Sequence, residues 1–225
     1  MSENKLPVLA VTGGIGAGKS FVCNIFASLH GIPVYDSDSH AKSLYDTDPL
    51  LLSEIKRIAG DDIVSPDGHL LRRVLADRIF NDSGMLEAVE AEVFPAVMRD
   101  FERWKAVLPC GPVTCGETDA SQGSCGIAGR PPFVIMESAI FLSRPVLYPM
   151  ADKVLYVDAP LELRIERVMR RDNVQREAVL ARISGQPPVD LFRADWIIDT
   201  SMGRESIVKS VSDIVVRLGR KKSSK

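Results

Sequence analysis

Residues 7–20 read PVLAVTGGIGAGKS. The first six are short, apolar and rich in β-branched side chains, the pattern of a buried strand. The next eight, Gly13 to Ser20, fit the string G-x-x-x-x-G-K-[ST]. Residues 20–30, SFVCNIFASLH, then carry Val22, Ile25, Phe26 and Leu29 at helical spacing. In a strand, glycine-rich turn and helix, the glycines let backbone N–H groups converge on a phosphate, and the helix start adds unpaired donors and the positive end of its dipole. This reading assigns ATP to Gly14, Ile15, Gly16, Ala17, Gly18, Lys19, Ser20 and Phe21. Lys19 bridges the β- and γ-phosphates, and the Ser20 hydroxyl holds Mg2+.

Outward from this loop the chain keeps alternating. IPVY at 32–35 is a second strand that runs into Asp36, Ser37 and Asp38, with a helix expected from about Ser39. FVIME (133–137), KVLYVD (153–158) and DWIID (195–199) read as further buried strands, and 204–218 as a closing helix. Strands joined through helices imply parallel pairing with right-handed crossovers. The expected fold class is therefore α/β, a three-layer arrangement around a five-stranded parallel sheet.

Between these strands, 46–107 is helical, with Leu86, Val89, Val93, Val97, Phe101 and Trp104 forming one stripe that Pro95 should kink or restart. The stretch 160–184 reads as strongly helical and basic. One domain is expected over 1–225: a core of 6–44, 133–160 and 194–219, a helical region at about 45–107, a loop excursion at 109–132, and a lid at about 161–188.

Composition narrows the function classes. Hydrophobic residues make up 45% and the net charge is -2, so there is no general field to draw in nucleic acid or a membrane surface. Neither a membrane-length apolar run nor the order of a secretion signal is read, which points to the cytoplasm. Cys23 lies in a predicted helix; Cys110, Cys115 and Cys125 share the Gly- and Pro-rich excursion without zinc-ligand spacing, so free thiols are expected.

The residues also separate the functions open to a phosphate loop. A guanine switch would show D-x-x-G and [NT]-K-x-D strings after later strands, and neither occurs. Asp36 and Asp38 instead stand at the carboxyl end of the second strand, the end that faces the ligand crevice in an open parallel sheet. A carboxylate there can take the proton of an attacking hydroxyl; the alternative is that it caps the next helix. His40 extends the string to D-x-D-x-H, but magnesium prefers oxygen ligands, so no metal is assigned to it. Arg164, Arg167 and Arg171 share one helix face, suited to a lid that brings positive charge over phosphates; a solvated helix paired with Glu162 and Glu166 is the alternative. These features point to transfer of a phosphate to a small-molecule hydroxyl.

The segments VTGGIGAGKS (11–20), IPVYDSD (32–38), DGHLLRRVLADRIF (67–80), VDAPLELRIERVMRRD (157–172) and ADWIID (194–199) together resemble the dephospho-coenzyme A kinase family. The resemblance implies a P-loop kinase fold with a helical acceptor-binding region and a helical lid. It also implies transfer from ATP to the ribose 3′-hydroxyl of dephospho-coenzyme A; a monomer is expected. It carries Asp38 over as base, Lys19, Arg167 and Arg171 as catalytic cations, and Asp36, Arg72, Phe94 and Glu137 as acceptor-side residues. Phe94 stands where the family usually has histidine, Ser143 where it has a carboxylate, and Thr200 where asparagine is common. Another small-molecule or nucleotide kinase, or a catalytically silent ATP-binding module, are the alternatives.

Overall fold

A computed structural model describes residues 6–108 and 131–219. The excursion with its three cysteines therefore lies almost wholly outside the described residues. The described chain forms two compact units, the segment Asp36–Val107 and the remainder.

The larger unit is built on a five-stranded sheet of β1 (Val8–Thr12), β2 (Val34–Asp36), β3 (Val134–Glu137), β4 (Lys153–Asp158) and β5 (Trp196–Asp199), in the order β2-β3-β1-β4-β5. The sheet is parallel throughout, with Val11 opposite Glu137 on one side and Leu155 on the other. Every residue of β1 is buried, which explains its unbroken apolar run: a strand covered on both faces has no polar side to show.

Leu9 and Val11 point into the main core, where Phe26 of helix α1 (Lys19–His30) meets Phe133 edge to face at 6.2 Å. Burying such side chains stabilises by about 1.5–3 kcal/mol each. Helix α8 (Arg204–Gly219) packs on α1 and adds Ile207, Val211 and Ile214 to the same core. The chain leaves β1 toward β2 at one end of the sheet, but leaves the adjacent β3 toward β4 on the other side. A crevice opens at such a divergence, beyond the carboxyl ends of the strands.

The smaller unit holds α2 (Ser37–Thr47), α3 (Pro49–Ala59), α4 (Arg72–Asn81) and α5 (Ser83–Ala106). The expected stripe is its core: Val89, Val93, Val97 and Phe101 are buried, and Trp104 stacks on Phe101 at 5.8 Å. Pro95 does not restart the helix, which runs through it as one element of 24 residues. Buried neighbours on both sides, Val93, Ala96 and Val97, hold the turn against the lost N–H.

In the larger unit the basic stretch read as one helix is two, α6 (Leu161–Asp172) and α7 (Arg176–Ser184). Asn173 ends α6 in the left-handed conformation at φ 52, a geometry asparagine tolerates better than most residues. Among the described residues no helix is long and apolar enough to cross a membrane.

Candidate active site

The loop after β1 approaches its neighbours so closely that only glycine fits at two positions. A Cβ on Gly13 would collide with the Val157 carbonyl oxygen, and one on Gly16, at φ +76, would lie 2.5 Å from the Arg164 carbonyl oxygen. Gly18 forms the N-cap of α1 with no side-chain cap, and the first turn of α1 contains no acidic residue. Its leading amides are thus left to an anion, with the helix dipole favouring negative charge.

Several candidate side chains of this unit gather around that loop. The Lys19 ammonium donates to the carbonyls of Gly13 at 3.1 Å and Gly14 at 3.4 Å. Ser20 Oγ donates to Glu137 Oε1 at 2.8 Å, so the first turn of α1 and the end of β3 deliver a hydroxyl and a carboxylate to one point. Two hard oxygen donors side by side suit magnesium far better than a soft metal. Phe21, Arg167, Arg170, Thr200, Arg204 and Ile207 line a cavity of about 380 Å³ beside Gly18. Its ring and guanidinium planes offer stacking surface for a flat ligand.

Arg164 and Arg167 both turn toward the phosphate loop. Arg167 donates to Thr200 Oγ1 at 2.7 Å and to the carbonyls of Thr200, Gly16 and Ala17 at 3.1–3.4 Å. Thr200, buried, donates in turn to the Ala17 carbonyl at 2.7 Å, which ties the loop to the segment after β5. Sequence reasoning noted Thr200 only as a departure from the family pattern, and its hydroxyl is the joint of this network. Arg164 donates through Nε to the Ile15 carbonyl at 2.9 Å.

Arg171 instead pairs with its neighbour Asp172 at 2.7 Å, and Arg182 reaches the same carboxylate at 2.8 Å. Arg171, with Arg182 behind it, holds the Asp172 carboxyl below the usual carboxylate range. Arg176 grips Glu162 with both ends of its guanidinium at 2.7 Å, which ties α7 to α6. Burial pushes the Tyr156 phenol up and Asp158 adds to this, while Arg164 and the Gly14 amide oppose it.

The remaining candidates belong to the smaller unit. Asp36 caps α2: its carboxylate accepts from the amides of Asp38 and Ser39, each at 3.1 Å. Asp38 sits exposed in the first turn of α2. Arg72 bonds the Lys42 carbonyl at 2.9 Å and the Asp46 carboxylate at 2.7 Å, joining α4 to α2. Phe94 is half-buried in the middle of α5. His40 Nδ1 lies 2.7 Å from Asp100 Oδ2, which joins α2 to α5.

Loops of this form serve switches, motors and kinases alike, and solved structures share the fold around this one. A shikimate kinase from Bacteroides thetaiotaomicron shares the fold at a TM-score of 0.52 with 12% identity, over 96% of this chain and all of that one. A dephospho-CoA kinase from Campylobacter jejuni does so at 0.52 with 20% identity, over 94% and 96%. The fold is that of the P-loop kinases.

Within that class the chain belongs to the dephospho-CoA kinase family, whose model matches residues 7–113 and 129–205. The dephospho-CoA kinase of Porphyromonas gingivalis is 36% identical over 79% of this chain and 76% of its own length. That of Xanthomonas axonopodis pv. citri is 32% identical over 94% and 93%. The crystal structure of TT1252 from Thermus thermophilus superposes with a TM-score of 0.75 at 28% identity, over 95% of this chain and 98% of that one. The family match skips 114–128, inside the excursion at 109–132.

Proposed function

We propose that this chain phosphorylates dephospho-coenzyme A on its ribose 3′-hydroxyl at the expense of ATP, yielding coenzyme A and ADP. Family membership over both halves of the chain, on an intact phosphate loop, carries this reading. The amides of Gly14 and of Gly16 to Phe21 wrap the β-phosphate, and Phe21 borders the cavity for the nucleoside. On nucleotide binding, Lys19 exchanges the carbonyls of Gly13 and Gly14 for phosphate oxygens. Ser20 and Glu137 would hold magnesium, which when bound neutralises charge on the β- and γ-phosphates.

Asp38 accepts the proton of the attacking hydroxyl while a new O–P bond forms and the bond from the γ-phosphorus to ADP breaks. Arg167 and Arg171 offset the charge that develops on the transferring group. Asp36 contributes by capping the helix that carries Asp38, and Arg72 and Phe94 serve the acceptor side. We place the protein in the cytoplasm as a monomer.

The test is turnover with dephospho-coenzyme A compared with nucleoside monophosphates, with the product identified by mass. Coenzyme A formation should dominate. Faster turnover of a nucleoside monophosphate would reassign the acceptor, and ATP binding without any product would mark a silent module.

A further inference from the structure

The sequence reading treated Ile15 as one more phosphate-binding residue of the loop, but its backbone is already engaged by the protein. Its N–H donates to Gln186 Oε1 at 3.0 Å and its carbonyl accepts from Arg164 Nε at 2.9 Å. The ring closes through Arg164 Nη2, which donates to the same Gln186 oxygen at 3.3 Å. Two donors aimed at one atom require an acceptor, so the amide oxygen and not the nitrogen faces the loop. The Ile15 side chain packs against the small core of Ile165, Val168 and Val179 between α6 and α7.

Arg164 lies in the first turn of α6 and Gln186 just beyond the end of α7. Entry and exit of the α6–α7 pair are thus tied to a single loop residue, through its amide, its carbonyl and its side chain.

The geometry points to Gln186 as a positioning residue of the phosphate loop. It turns Ile15 outward onto α6 and α7, which leaves the amides on either side to converge on the β-phosphate. Without the Gln186 oxygen the half-buried Ile15 N–H loses its partner, and a loop rich in glycine has other conformations within reach. Gln186 touches no reacting atom in this arrangement; it acts through Ile15. The effect rests on the kinase reading only for its catalytic consequence, because the contact itself concerns nucleotide binding.

The test replaces Gln186 by Met, of similar length but without the oxygen, and by Glu, which keeps an acceptor for both donors. Gln186→Met should raise the KM for ATP about tenfold, the scale of one lost hydrogen bond to a preorganised site, with a smaller change in kcat. The KM for dephospho-coenzyme A and the Tm should stay as in the native protein, and Gln186→Glu should recover most of the loss. Calorimetric titration with ADP should show the same tenfold split without turnover, so a failed kinase assay would leave this inference separately measurable. Gln186→Asn, one methylene short, provides the same comparison if the Met variant does not fold. An ATP KM and ADP affinity within twofold of native, or a Glu variant no better than Met, would overturn the assignment.

Discussion

The phosphate loop and the helical unit Asp36–Val107 use their polar side chains for different ends. In the loop, side chains bind backbone: Lys19 on Gly13 and Gly14, Arg164 and Gln186 on Ile15, Arg167 on Gly16 and Ala17. In the helical unit, side chains serve two ends: Asp36 and Asp48 cap helices through backbone amides, while Arg72 with Asp46, His40 with Asp100 and Arg78 with Asp62 join separate elements through paired side chains. The first pattern shapes a run of amides that any phosphate can use. The second holds helices in register. Exposed pairs of the second kind are worth little individually.

That contrast can be broken by mutation. Lys19→Ala should remove the largest share of activity, about 10³-fold in kcat, because its charge acts where the phosphoryl group is in transit. Circular dichroism should show the fold retained, and substantial turnover would refute the phosphate-bridging role. Asp38→Asn should cost about 10²-fold in kcat with ATP affinity unchanged, as expected for loss of a general base. A change of only a few-fold would return Asp38 to a structural part in the first turn of α2, beside the cap supplied by Asp36. Removing 114–128, the segment the family match skips, should leave turnover within about twofold, since loop length alone costs little. Loss of folding on that deletion would mean the segment belongs to neither pattern.

Much of the loop was legible because its chemistry is contiguous. Glycines at 13, 14, 16 and 18 and a lysine that opens a helix leave few other readings, and the strands show themselves by buried apolar runs. The break at Asn173 was missed because the basic periodicity of 160–184 continues across it, and only a positive φ marks the stop. Of the kink or restart expected at Pro95, the restart does not occur, because burial on both sides of the proline overrides its local preference against helix.

Gln186 gave no signal, since a lone glutamine before two prolines has no spacing that ties it to residue 15. Thr200 likewise showed only as an unusual residue after the last strand. By itself the sequence determined the parallel α/β fold, the phosphate loop and the family resemblance, because each depends on residues close together along the chain. Only the tertiary structure decided which groups hold that loop in shape. Those contacts span 149 residues from Ile15 to Arg164 and 183 from Ala17 to Thr200, distances over which hydrogen-bond geometry leaves no periodic trace.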